Sequence, residues 1–392
     1  MARITPFKGA NTAQFYVAEV TPGVTPTNPV WSPLRNTGGV PAITRDSLVS
    51  NELDGSRETT AVRLGSQQVA GEYAIELSAR SQDDFLAGAL SSTWEDGISH
   101  TGLSVAVNAT TKTWTRSDGN FLTDGVEVGD LIAFPDLPGN NGLPFIVTSV
   151  NDTAIAGAAV QVALTTAAAA TTDYVTGDKL QTGSQCKTFS ILTWFKGECG
   201  GDPAFLLTKG VEISGFTIEQ AVNAMVTGSF PFIGTEQEQL TAPPAGSDFT
   251  TVVFDDEQFS SVDVSAFNGT APMKLINTFT ITNDNAASAQ YELGDYGVSF
   301  VEKGRATNTF SLAGMMYDLT LYNAFLNEQL AELTSILARS NEAMSFTLKR
   351  CRLTAATPEI GGPESVTLSM EGQAQGTANQ SSIVIQRLSY AP

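Results

Sequence analysis

The sequence predicts a mainly β protein with a minor helical part: two tandem copies of a strand–strand–helix–strand–strand unit, with a small β module inserted in the first. Three observations carry that reading. Motifs of the N-terminal half recur in order in the C-terminal half, apolar and polar residues alternate over short stretches, and a turn-rich segment poor in helix signals interrupts the first copy.

The duplication is read from spacing. Ile43-Thr44-Arg45-Asp46 matches Ile281-Thr282-Asn283-Asp284, and a glycine follows each, Gly65 and Gly304. Gly71-Glu72-Tyr73-Ala74-Ile75-Glu76-Leu77 then faces Thr309-Phe310-Ser311-Leu312-Ala313-Gly314-Met315. Next come amphipathic segments in which Phe85-Leu86 and Leu90 correspond to Phe325-Leu326 and Leu330. The second helix is expected to carry Leu321, Phe325, Leu330, Leu333 and Leu337 on its buried side, with Asn327, Glu328, Glu332 and Arg339 in water. Strand pairs follow each helix, and Val366, Leu368 and Met370 alternate with polar neighbours as one buried face requires.

The remaining segments fall between these copies. Residues 1–35 read as an N-terminal arm, because Pro22, Pro26 and Pro29 disfavour helix and remove ladder donors. Residues 36–97 with 186–240 make the first unit and residues 251–392 the second, joined by a linker over 241–250 that has little capacity to pack. Residues 98–185 are the insertion, a small barrel or sandwich with a tight turn at Asn140-Asn141-Gly142. Its Thr/Ala run, 165–172, is expected to be a connector, Trp114 and Phe134 to be core, and the module to project from the body.

Composition narrows the function. There are 21 Lys and Arg against 41 Asp and Glu, a net charge of -20. The acidity is spread: residues 246–392 hold 16 acids and 8 bases, leaving 41 − 16 = 25 acids and 21 − 8 = 13 bases upstream. No acidic tail results, and such a surface will not hold nucleic acid through its phosphates. No run is long and apolar enough for a membrane span, and Met1 to Lys8 lacks a secretion signal, so the chain is expected to stay in the cytoplasm where it is made unless an assembly carries it out. Cys186, Cys199 and Cys351 form no CxxC pair and the single histidine is His100, which speaks against a metal site or a histidine-dependent triad.

With these features in place, the chain resembles the double-domain tail tube proteins of siphophages. The resemblance rests on the duplicated order, the Pro-rich arm leading to Trp31-Ser32-Pro33-Leu34-Arg35, the stretch Gly71 to Leu77 with the helix after it, and an insertion like the β modules found in phage tail proteins. It implies two β-sandwich domains, each flanked by one helix, and a trimeric ring of pseudo-sixfold symmetry stacked into a tube. It further implies that a hairpin from each domain lines the lumen, here residues 53–77 and 291–312. The implied partners are further copies of the chain in ring and inter-ring contacts, a tape measure protein inside the tube, tail-tip and tail-terminator proteins, and genomic double-stranded DNA passing without specific binding. The implied location is the virion tail, with no membrane, no cofactor and no catalytic residue.

On this reading Glu52, Asp54, Glu58, Glu72 and Glu76, with Glu292, Asp295 and Glu302 in the second copy, are candidates for lumen charge that keeps DNA from sticking. Three other functions compete: another tail-tip or head-completion virion protein, a β-sandwich adhesin, and a hydrolase using paired carboxylates. Asp255-Asp256-Glu257 and Asp83-Asp84 are adjacent, whereas catalysis needs carboxyls facing each other across a substrate. Asp83 and Asp84 also open a helix, where negative charge is favoured.

Overall fold

The computed structural model describes residues 7–390 apart from 53–56, 60, 160–162, 198–201, 255, 318 and 363–364. The first half starts with β1 (Thr12–Ala18), β2 (Ser32–Pro33), a long hairpin of β3 (Ala42–Val49) and β4 (Val62–Glu76), and helix α1 (Asp83–Ala89). A barrel follows from β5 (Ser99–Asn108), β6 (Thr113–Arg116), α2 (Phe121–Asp124), β7 (Leu131–Ala133), β8 (Phe145–Val150), β9 (Ala154–Ala159) and β10 (Ala167–Thr176). The chain returns through β11 (Asp178–Gln181) to β12 (Phe189–Phe195), β13 (Ala204–Ile213), β14 (Gly215–Ala221), β15 (Thr227–Gly234) and β16 (Glu236–Leu240). The second half holds β17 (Val264–Asn268), β18 (Ala271–Pro272), β19 (Ile276–Asp284), β20 (Ser288–Gln290), β21 (Phe300–Glu302), β22 (Thr307–Met315) and α3 (Thr320–Leu326). It ends with β23 (Ala331–Arg339), β24 (Glu342–Glu359), β25 (Thr367–Gln373) and β26 (Ile383–Ser389). The fold is mainly β, as the alternation implies.

Strand pairing repeats between the halves. The run β3–β4–β15, continued by the end of β13 and by β14, is matched by β19–β22–β25–β24. One rung of the first reads Ala42–Ala70–Ile233–Glu212, and its counterpart reads Thr282–Thr309–Gln373–Arg352. Gly210 and Arg350, both with positive φ, stand two residues before Glu212 and Arg352. On the next rung Gly71 faces Phe232, and in the other half Phe310 faces Gly372. Ring and glycine have exchanged strands. A Cβ on Gly71 would lie 2.7 Å from Phe232 Cζ, and one on Gly372 would lie 2.5 Å from Phe310 Cζ, so each ring occupies the space its glycine leaves open.

These rungs shift the motif match read from sequence. Ala42 corresponds to Thr282 and Gly71 to Phe310, whereas the motifs oppose them to Thr280 and Thr309. The motif match therefore runs two residues out of register on β3 and one on β4.

Other expectations change as well. α3 ends at Leu326, and Leu333 and Leu337 lie in strand β23. From Leu333 to Leu337 every residue of β23 is buried, so both faces are covered and leucines at helical spacing arise without a helix. The Thr/Ala run is not a connector: its residues from Ala167 onward form β10, which pairs along β5 with Thr172, Tyr174 and Thr176 buried. Residues 12–18 of the expected arm form β1, paired with β12 over its whole length. The linker does pack, since Trp31 is fully buried, donates from Nε1 to Ser247 Oγ at 2.9 Å and stacks on Phe249.

The barrel has its own core, in which Trp114 stacks on Phe145 and Phe134 is buried with them. It does not stand free of the body. Leu131, Ala133 and Ala158 pack against Phe267, Ile336, Ala343, Leu388 and Tyr390 of the second half. Gln386 on β26 accepts from Leu131 N–H at 2.8 Å and donates to Gly129 O at 2.7 Å.

Candidate assembly surfaces

One strand joint crosses from half to half. β14 pairs with β19 over seven rungs, Gly215↔Asp284 to Ala221↔Thr278, so eight strands run in the order β3–β4–β15–β14–β19–β22–β25–β24. Side chains on opposite residues of a rung share a face. One face is buried: Tyr73, Ile75, Phe230, Phe232, Phe216, Ile218, Phe279, Ile281, Phe310, Leu312, Leu368 and Met370 form the main core. At ~25 cal/mol per Å² of apolar surface, this core is the dominant stabilising term of the body.

The other face is polar. One row across it reads Glu76–Thr227–Glu219–Thr280–Ser311–Glu371–Ala355, and the next reads Ala74–Ser229–Thr217–Thr282–Thr309–Gln373–Arg352. Glu72 lies on the same face, and Arg352 there is engaged by Glu328 at 3.4 Å. Hydroxyls and carboxylates dominate these rows.

At the ends of this sheet two strands lack a second neighbour among the described residues. β3 pairs with β4 alone, and the 352–359 part of β24 pairs with β25 alone. Pro41 precedes β3 and Pro358 lies in β24, the kind of place where a sheet tolerates a missing N–H. The β3–β4 hairpin is exposed, with Leu48, Val49, Val62 and Leu64 turned to solvent.

The eight acids picked from sequence fall in different places. Glu72 is exposed and Glu76 half-buried on β4, both on the polar face. Glu52 and Glu58 are exposed in the β3–β4 connection, and Asp54 lies outside the described residues. Glu292 and Asp295 are exposed between β20 and β21, in a segment that returns to β4: Gln67 N–H donates to Tyr296 O at 2.6 Å. Asp295 caps the N–H groups of Tyr296 and Gly297, and Glu302 on β21 accepts from Gln290 Nε2 at 3.1 Å. Sequence reasoning misses Glu219 and Glu371. Their signal was present in phase: each sits among residues that alternate with the buried Ile218 or Met370.

Of the carboxylates weighed for hydrolysis, Asp83, Asp256 and Glu257 are held by arginines, whereas Asp84 accepts from Tyr16 Oη at 3.0 Å. Arg80 bonds Asp256 at 2.9 Å and Glu342 at 2.5 Å, Arg339 bonds Glu257 and reaches Asp263, and Asp255 lies outside the described residues. Asp83 is buried at the start of α1 against Arg387, which also bonds Asp178 at 2.9 Å and lies over the Trp94 ring. Burial pushes the Asp83 carboxyl up to about 6 in spite of that arginine. Among the described residues no group of three or more His, Cys, Asp and Glu could hold a metal ion, and no helix is long and apolar enough to cross a membrane.

A family model described as phage tail tube protein matches residues 9–374. The chain belongs to the phage tail tube protein family. A tail tube protein is a structural part of the virion tail that assembles with copies of itself and meets other tail proteins. No curated protein matches the chain.

Proposed function

We propose that three copies of this tail tube protein close into a pseudo-hexameric ring of two-domain subunits, and that rings stack into the conduit for double-stranded DNA ejection. The observation that carries this reading is an eight-stranded sheet with two free edges, whose middle joint already unites one half with the next. Carried over by the rung equivalences, Thr357 of one copy stands opposite Ala42 of its neighbour, as Thr217 stands opposite Thr282 inside the chain. Three such sheets make 3 × 8 = 24 strands, a perimeter of ~115 Å at about 4.8 Å per strand. Strand tilt widens that further, leaving room for a duplex. Closure removes both open edges, which otherwise invite irregular association.

In this arrangement the polar face points inward, with Glu72, Glu76, Glu219 and Glu371 as lumen charge and Glu52, Glu58, Glu292, Asp295 and Glu302 near the ring's rims. A tape measure protein would fill the lumen before ejection, and tail-tip and tail-terminator proteins would cap the two ends. Synthesis in the host cytoplasm fits a chain destined for such a particle.

Electron microscopy of the purified, concentrated protein, averaged end-on, tests the reading. Hollow rings with six inner lobes and three peripheral knobs, one barrel per chain, are expected. Six knobs would replace the trimer by a ring of six chains, and a defined oligomer without a channel would overturn the tube itself.

A further inference from the structure

The two helices carry the same Phe-Leu-x3-Leu arrangement but not the same cover. On α1 Leu86 is 0% and the following Leu90 1% exposed, whereas on α3 Leu326 is 58% and the following Leu330 44% exposed. What covers the end of α1 comes from the second half, from the excursion between β19 and β22. Asn285 Nδ2 donates to Ala89 O at 2.6 Å, Lys303 Nζ donates to Gly88 O at 3.0 Å, and Val301, Lys303 and Gly304 line the same cavity as Leu90. Among the described residues, the corresponding excursion of the first half, from β3 to β4, leaves its apolar side chains exposed, and the segment that returns to its base is 291–296.

That excursion carries unpartnered apolar residues of its own. Leu48 is 59%, Val62 62% and Leu64 58% exposed. Counted back along the chain from the last shared rung at Gln68 and Thr307, Leu64 falls at the place of Lys303 (303 − 64 = 239, as 307 − 68 = 239), and Gly65 falls at that of Gly304.

We propose that the β3–β4 hairpin of one copy docks on the end of α3 of the next copy, setting Leu64 with Leu48 and Val62 against Leu326 and Leu330. The occupant is a second copy of this chain, because the covered α1 shows the same joint made once inside the molecule. A polar grip at the inner joint is thus replaced by an apolar one at the outer joint, suited to a contact that forms only on assembly. The inference rests on the ring reading above, in that it needs copies joined through β24 and β3.

The test uses the full chain with Leu64→Glu, Leu326→Lys, and both together, followed by sedimentation and electron microscopy over a concentration series. Each single variant is expected to raise the concentration needed for ring formation at least tenfold, and the double variant to recover most of the loss by pairing opposite charges at every joint. Both positions are exposed, so melting temperatures of the unassembled chains should match the native one; if either variant unfolds, Leu64→Gln and Leu326→Gln replace them. Native-like assembly of both singles, or no recovery in the double, would overturn the contact while leaving the ring. A native chain that never forms rings would instead sink the ring reading.

Discussion

In the first half a glycine on β4 lies under a phenylalanine of β15; in the second, the phenylalanine is on β22 and the glycine on β25. The rungs around them share the same pairing, a positive φ at the same place and the same buried side. What the two halves hold in common is the volume that fills a rung, not the residue at each position. Packing at interior density constrains the sum of facing side chains, so two strands can trade a ring and still meet the sheet below.

The largest expected effect comes from breaking that trade on one side. Phe232→Gly leaves two glycines facing each other, with a cavity and a weakened strand, and should cost about 4 kcal/mol in chemical denaturation. Gly71→Phe alone overfills the rung and should cost about 2 kcal/mol. The double variant gives the first half the arrangement of the second and should fall within about 1.5 kcal/mol of native. Costs that simply add would show that the rung volume is not the shared constraint.

Arg387 joins parts that the rungs do not. It lies on β26, bonds Asp83 of α1 and Asp178 of β11, and covers Trp94. Arg387→Met removes these bonds and leaves Asp83 buried without its counter-charge, at a cost of about 3 kcal/mol at neutral pH. A loss under 1 kcal/mol would mean that the main core alone fixes how the halves and the barrel sit.

How much of this was legible follows from what each signal needs. Alternation at Tyr73, Ile75 and Leu77, or at Leu368 and Met370, reports a one-sided sheet directly, because neighbours differ in polarity. β23 hid the same signal by burying Thr334 and Ser335 beside Leu333 and Ile336, and β10 hid it because alanine and threonine contrast too little. The repeated strand order was legible, but its register was not, since which residues face each other across strands leaves no mark in composition. Glu72 and Glu76 were picked by charge alone, and only the strand pairing puts them on the polar face. Glu219, Glu371 and the free edges required knowing which strands lie side by side, and docking of the barrel through Gln386 joins residues more than 250 positions apart in the chain.

The Asp83 carboxyl provides a pH test of the same junction. Its proton is held more tightly in the folded chain, where the carboxyl is pushed up to about 6, than in the unfolded chain near 3.8. Stability from this group is therefore fully present below about pH 4 and is lost as pH rises through about 6. Asp83→Asn removes the dependence, so its stability relative to native should climb by about 2–3 kcal/mol between pH 4 and 7, two units at 1.36 kcal/mol each. A flat difference would show that Arg387 offsets the burial completely.

The smallest effect is expected where the halves differ most in chemistry, at Lys303 and its apolar counterpart Leu64. Lys303 lies 3.6 Å from Glu212 in a site that burial makes unfavourable to both charges: the lysine is lowered and the glutamate raised. Lys303→Leu alone strands Glu212 and also gives up the bond to Gly88 O, which should cost about 2 kcal/mol at pH 8 and less at pH 5, where Glu212 takes up a proton more readily. Lys303→Leu with Glu212→Leu removes both charges together. The attraction lost is then close to the desolvation recovered, and the double variant should lie within about 1 kcal/mol of native. A double variant worse than the single would mean that this ion pair, rather than the apolar contact around Leu90, holds the second half on α1, and that the outer joint with leucine in place of lysine must be the weaker of the two.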